Sequence, residues 1–123
     1  MSLVQLLLQT ESYARDLTAL LNREGCNVVR ATAPDYSRPG PIVADRRALE
    51  RFPELLEHPD RVVLIAPNDP NYLSLLWRHN VRSVVFDTDS PSTVMLAILG
   101  MAIGQGVPAM RPHKSNLVVL SSR

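Results

Sequence analysis

Two aspartates and a glutamate follow apolar runs that are typical of strands, and these carboxylates are the side chains best suited to chemistry. Asp45 and Asp87 each come directly after such a run, and Glu11 comes shortly after another. Carboxylates gathered at the ends of parallel strands could share a proton or a cation, and open α/β sheets bind ligands at that edge. The structural alternative for Asp45 is a carboxylate that is solvated at the strand end or paired with Arg46 or Arg47.

Other catalytic or cofactor-binding patterns are missing from the sequence. The histidines lack the short spacing of metal ligands, and no serine, histidine and aspartate form a recognisable triad motif. Gly100, Gly104 and Gly106 follow a predicted helix rather than a strand, so they do not form a nucleotide-binding loop. Cys26 is expected to be a small buried side chain rather than a reactive thiol. The histidines expected at the surface are His58, His79 and His113.

The composition predicts one folded domain in the cytoplasm. The 123 residues suffice for one core, and 46% apolar with 20% charged residues is typical of globular chains. The net charge of +1 comes from interspersed signs, so neither nucleic-acid nor membrane binding is expected. A single cysteine forms no internal disulfide, and the short apolar start at residues 3–8 does not resemble a signal peptide. Prolines and glycines interrupt the uncharged stretch at 90–110, which is therefore no membrane span.

Strands and helices alternate in the hydrophobic pattern. Short apolar runs predict five strands, at residues 3–8, 27–33, 42–44, 62–66 and 83–86. Helical spacing predicts four helices, at residues 12–25 with Ser12 as the cap, 46–58, 69–77 and 90–103. Residues 34–41 contain three prolines and a glycine, which predict a loop. The alternation predicts an α/β fold with a parallel sheet and helices on both faces.

This succession of elements, together with several local sequences, resembles the receiver domain of bacterial response regulators. The similarity spans residues 3 to about 105 and is strongest from 60 to 104. There, Val-Val-Leu-Ile-Ala66-Pro-Asn-Asp-Pro is followed by Leu-Leu-Trp-Arg-His-Asn-Val81 and by Val-Val-Phe-Asp87-Thr-Asp-Ser-Pro91. The resemblance implies a five-stranded, flavodoxin-like three-layer sandwich with strand order 2-1-3-4-5 and a missing or vestigial second helix. The chain is most similar to the receiver part of LuxR-like regulators of transcription in two-component systems.

The receiver family has a phosphorylation site whose residues can be located in this chain. In that family, acidic residues after the first strand and a phosphoacceptor aspartate after the third bind Mg²⁺, while a hydroxyl and a lysine stabilise the phosphoryl group. The resemblance places the phosphoacceptor equivalent at Asp45. The acidic pair, the hydroxyl and the lysine fall on the degenerate positions Gln9, Thr10, Ala66 and Asp87. Glu11, one position later than the acidic pair, is a possible extra acid.

Ordinary phosphotransfer is not expected from this set of residues. Asp87 would place a second negative charge beside Asp45, which disfavours a doubly charged phosphoryl group. Because Gln9 and Thr10 offer no carboxylate, Mg²⁺ binding is not expected, and no other metal or cofactor is predicted. Two alternatives remain open: a receiver that still accepts phosphate on Asp45, and a small-ligand sensor at the carboxyl ends of the strands.

The last predicted helix is apolar on all sides, which predicts that something covers its outer face. A homodimer partner or an attached output domain is expected there, and the dimer face is predicted at Leu96, Leu99 and Ile103. The alternative cover is the tail of this chain. The predicted boundaries are 1–106 for the receiver-like domain and 107–123 for a tail, or the start of a linker to an output domain that this sequence does not contain. The sequence thus predicts a signalling domain that acts by dimerisation or partner docking, independently of phosphorylation and without catalysis.

Overall fold

A parallel sheet forms the centre of the molecule. The computed structural model describes residues 3–104, with side chains through residue 101, and the backbone of residues 118–119. The strands are β1 (Leu3–Leu7), β2 (Asn27–Arg30), β3 (Ile42–Asp45), β4 (Val62–Ala66), β5 (Ser83–Phe86) and β6 (Val118–Val119). They pair in the order β2-β1-β3-β4-β5-β6, all parallel. The predicted order 2-1-3-4-5 is confirmed, and the unpredicted two-residue β6 extends the sheet beyond β5.

Helices cover both faces of the sheet and complete a flavodoxin-like three-layer sandwich. They are α1 (Glu11–Arg23), α2 (Arg46–Arg51), α3 (Pro70–Arg78) and α4 (Pro91–Gly104). On one face α1 packs against α4, and Leu17, Leu21 and Ile98 share a core cluster with the strands. On the other face, α2 and α3 contribute Leu49 and Leu76 to a second cluster. None of the described helices combines the length and the hydrophobicity that a membrane span requires.

Two helix boundaries differ from the sequence prediction. The helix predicted over 46–58 ends at Arg51 and is followed by two 3-10 turns, Pro53–Glu57 and Pro59–Arg61. Pro53 lacks an N–H and disfavours helical geometry in the residue before it, and Phe52 accordingly has φ −129° and ψ 69°. The first helix begins at Glu11 with Thr10 at the N-cap, so Ser12 lies inside the helix and the prediction that it caps was wrong.

The predicted loop connects β2 to β3 without a helix, as expected from its prolines. Gln5, the one buried polar residue among those described, is 2% exposed and holds this loop to the sheet. Its amide Nε2 donates to the Asp35 carbonyl at 2.9 Å, and the Asp35 N–H donates to its Oε1 at 2.8 Å. Arg61 holds the other end of the loop through the carbonyls of Tyr36, Arg38 and Gly40. Neither anchor was predicted from the sequence.

Candidate functional site

A cleft of about 530 Å³ opens at the carboxyl ends of the strands. It brings together Asp45, the last residue of β3, and Asp87, which directly follows β5, as expected from the sequence. It also includes the degenerate positions Gln9 and Thr10 after β1. Tyr13 on α1 and the two arginines at the start of α2 complete its polar wall. The residues that line the cleft are Leu8, Gln9, Thr10, Tyr13, Asp45, Arg46, Arg47, Ile65, Pro67 and Asp87.

Asp45 uses both oxygens of its carboxylate to hold the backbone. Oδ1 accepts a hydrogen bond from the Ala48 N–H at 2.9 Å, and Oδ2 accepts one from the Gln9 N–H at 2.9 Å. The first bond caps α2, because the N–H groups at a helix start have no partner within the helix. The second bond joins the ends of β1 and β3. The side chain at the phosphoacceptor-equivalent position therefore has a structural role.

The two arginines after Asp45 do not pair with it. Arg46 Nε lies 3.5 Å from the Glu50 carboxylate, and its guanidinium lies over the Tyr72 ring at 5.2 Å from the centroid. Arg47 is exposed and makes no ion pair with any described residue. The predicted pairing of Asp45 with Arg46 or Arg47 is thus replaced by helix capping.

Asp87 presents an exposed carboxylate to the same cleft. Its backbone N–H donates to the Ala66 carbonyl at 3.0 Å, which continues the β4–β5 pairing past the end of the strand. Ala66 itself is fully buried and offers only a methyl group at the position that the resemblance to receivers equates with their hydroxyl. The negative charge of Asp87 also acts on Tyr13, whose pKa it helps to raise. Asp87, at the lysine-equivalent position, therefore adds negative charge to the cleft.

Tyr13 is a part of the site that was not singled out from the sequence. Its hydroxyl donates to the Asp89 carbonyl at 3.0 Å and so ties α1 to the loop after β5. Burial raises the pKa of Tyr13 to about 12, and the charges of Asp89 and Asp87 act in the same direction. The Asp89 carboxylate accepts the Phe86 N–H at 2.8 Å and fixes this loop. A tyrosine one turn into a helix that starts at a strand end is the sequence signal for such a contact.

Glu11 points its carboxylate at β2 and is not among the residues that line the cleft. It forms a paired hydrogen bond with Arg30, at 2.9 Å and 3.2 Å, and this bond lowers the pKa of Glu11. Thr10 acts through its backbone, because its carbonyl accepts the Ala14 N–H at 3.0 Å. Within residues 3–104, no three histidine, cysteine or acidic side chains converge as metal ligands.

The remaining candidate residues lie away from the cleft. His58 stacks on the Tyr36 ring with 4.1 Å between centroids, so it is half-buried rather than a surface histidine as predicted. His79 is exposed, and His113 lies outside the described residues. Cys26 is half-buried against the α1–α4 cluster, and burial raises the pKa of its thiol.

The predicted dimer face on α4 carries one strongly exposed apolar side chain. Leu96 is 60% exposed and Leu99 is half-buried, whereas Ala97 and Ile98 are buried against the sheet and α1. Ile103 belongs to α4, but its side chain lies outside the described residues. Within residues 91–101, no charged group interrupts the outer face of the helix.

Comparisons with models of known protein families, with curated proteins and with solved structures found no match for this chain.

Proposed function

We propose that this chain is a receiver-like signalling domain that works by dimerisation or by docking to a partner, independently of phosphorylation and without catalytic activity. The observation that carries this proposal is the engagement of both Asp45 oxygens by backbone N–H groups. Phosphorylation would turn one of these oxygens into the bridging oxygen of an acyl phosphate, which is a poorer acceptor, and would therefore weaken the cap of α2 or the link between β1 and β3.

The charges of the cleft support the same conclusion. A transferring phosphoryl group needs positive charge and hydrogen-bond donors at the developing negative oxygens. The lysine-equivalent position holds Asp87, the hydroxyl-equivalent position holds buried Ala66, and the only arginine of the cleft wall without an ion pair among described residues is Arg47. We place this domain in the cytoplasm, in a regulator of the LuxR-like class of two-component transcription factors, with DNA binding left to a separate output domain.

The proposed contact surface is the outer face of α4. Leu96 and Leu99 lie three residues apart, one turn along the same side of the helix, and Leu96 is the more exposed of the two. Burying such side chains against a partner contributes about 1.5–3 kcal/mol for each fully buried leucine. This surface gives the domain a means of transmitting a signal through assembly.

Two measurements on the full chain test the proposal. Incubation with acetyl phosphate and Mg²⁺ should leave the intact mass unchanged, with Asp45→Asn as the matched control. A mass gain of one phosphoryl group that Asp45→Asn abolishes would establish the rival function, a phosphate-accepting receiver.

Light scattering on the same chain should show a concentration-dependent dimer that Leu99→Glu disrupts. The control is Ala19→Glu, which adds the same charge at an exposed position of α1 and should leave the dimer intact. Monomers at all concentrations would exclude self-association through α4.

One observation favours a second candidate function, a small-ligand sensor. The cleft lies at the carboxyl ends of parallel strands, where open α/β sheets bind ligands, and it combines Arg46 and Arg47 with Asp45 and Asp87. A thermal shift with a panel of small anionic metabolites, lost in Arg47→Gln, would support this function. An unchanged melting temperature with every compound would argue against the sensor function and leave dimerisation or partner docking as the remaining candidate.

A further inference from the structure

The crossover that connects β5 to β6 through α4 differs in handedness from the other helical crossovers of the described sheet. The links β1-α1-β2, β3-α2-β4 and β4-α3-β5 share one hand, because α1 crosses toward the β2 edge on one face and α2 and α3 cross toward β5 on the other. The link β5-α4-β6 moves across the sheet in the same direction as β3-α2-β4 and β4-α3-β5. Its helix α4, however, lies on the opposite face of the sheet, together with α1. The link therefore has the opposite hand.

About 98% of such parallel crossovers are right-handed, because a right-twisted strand followed by a helix packs back onto its sheet most readily in that way. Among the described elements three helical links share one hand, to which this rule assigns the right hand, and β5-α4-β6 is then the left-handed link. This restriction applies only when the helix and both strands belong to one chain. A strand supplied by another molecule can pair with β5 without any crossover.

The outer edge of β5 is suited to receive a strand. Val84 and Val85 are both at most 1% exposed, so β5 is buried on both faces, as an interior strand is. Residues Val118 and Val119 pair with Ser83 and Val84 in parallel register and satisfy backbone groups that an open edge would leave exposed. Main-chain pairing of this kind is a common mode of peptide recognition.

We infer that β6 is exchanged between two copies of this chain, so that Val118–Val119 of each copy pairs with β5 of the other. The thirteen residues 105–117 connect α4 to β6, and an extended chain of that length reaches about 43 Å, enough to cross to a second copy. A two-fold arrangement makes both exchanged strands equivalent and closes the assembly at a dimer. This inference deepens the proposed function, on which it rests for the role of assembly in signalling, by naming the partner and the pairing element.

Cross-linking between two different chains tests the exchange. In a Cys26→Ser background, one chain carries Ser83→Cys and the other carries Val118→Cys, at positions that are register partners. The two chains are unfolded, mixed, refolded together and treated with a short bis-maleimide. A covalent heterodimer is expected, in clear excess over a control mixture of Val118→Cys with Ser12→Cys on the exposed start of α1.

A single chain that carries both Ser83→Cys and Val118→Cys tests the alternative, in which β6 pairs with β5 of its own chain. If it forms only an intramolecular cross-link at every concentration, and the mixture forms no heterodimer above the control, β6 pairs within its own chain and the inference is wrong. The absence of any cross-link in either experiment would equally overturn it.

Solution mass separates this inference from the proposed function. The double variant Val118→Pro/Val119→Pro removes the strand N–H groups and should reduce the dimer to a monomer of 13.7 kDa. A dimer that survives these prolines but is lost in Leu99→Glu would reject strand exchange and retain the α4 face. A dimer that survives Leu99→Glu but is lost with the prolines would retain strand exchange and reject the α4 face.

Discussion

The carboxylate of Asp45 accepts a hydrogen bond from the backbone N–H of Gln9, which precedes it by thirty-six residues, at 2.9 Å. The same carboxylate caps α2 through Ala48. One side chain thus fixes three chain segments where the sheet meets the cleft. In a receiver, the equivalent carboxylate would be the reactive group, and here its hydrogen-bonding capacity serves the fold.

Replacing Asp45 should therefore destabilise the protein. Asp45→Ala removes both bonds, and loss of a helix cap alone costs about 0.5–2 kcal/mol, so we expect the free energy of unfolding to fall by about 2 kcal/mol. Asp45→Asn keeps one acceptor oxygen and should cost about half as much. Urea denaturation measures both, with Asp16→Ala on exposed α1 as the control. An unchanged urea midpoint for Asp45→Ala would show that neither bond stabilises the fold.

The buried amide of Gln5 should be essential for the loop that replaces the second helix. Gln5→Leu has similar volume but leaves the N–H and the carbonyl of Asp35 without partners, which costs about 1–3 kcal/mol. We expect faster amide hydrogen exchange in residues 35–41 and a lower free energy of unfolding. Gln9→Leu, at an exposed position, should change neither quantity. Normal exchange protection of the loop in Gln5→Leu would refute this role.

Gly40 and Gly25 offer a matched pair of glycine substitutions. Both have positive φ, +111° and +86°, but a β-carbon at Gly40 would overlap the carbonyl oxygen of Leu3, whereas one at Gly25 would meet no atom within 4 Å. We expect Gly25→Ala to cost about 1–2 kcal/mol from backbone strain alone. Gly40→Ala should cost more than about 3 kcal/mol, because the loop must also move off β1. Thermal unfolding of the two variants measures the difference, and equal costs would show that the loop does not contact β1 closely.

Alkaline pH should destabilise the fold through its tyrosines. Burial raises the pKa values of Tyr13, Tyr36 and Tyr72 to about 12, so the folded chain keeps phenolic protons that the unfolded chain loses near pH 10. The stability that depends on neutral tyrosines is therefore complete below about pH 10 and is lost as the pH rises to about 12.

Urea denaturation at several pH values measures this loss, and Tyr13→Phe should reduce it. Tyr13→Phe also removes the bond to the Asp89 carbonyl, so its stability at neutral pH should be slightly lower than that of the parent chain. Ultraviolet absorbance provides an independent check. Full formation of tyrosinate near pH 10 in the folded protein would mean that the phenols are not protected by burial.

The local pattern of the sequence was sufficient to predict the layered fold. Buried strands appear as short apolar runs, and the prolines and the glycine of residues 34–41 cannot form a helix, so the parallel sheet and the missing helix follow from nearby residues alone. The absence of a lysine, a hydroxyl and an acidic pair at the family positions was likewise visible from residue types. The break at Pro53 was predictable from the same chemistry, but the apolar spacing around it favoured one continuous helix.

Only the tertiary structure decided what the polar side chains do. Asp45 faces Gln9 rather than an arginine, Glu11 pairs with Arg30 rather than facing the cleft, and Gln5 is buried beneath the loop. Each of these contacts joins residues that are far apart in sequence. The hydrophobic period describes one segment at a time, whereas a hydrogen bond depends on where two segments meet and on which donors the backbone leaves unpaired there.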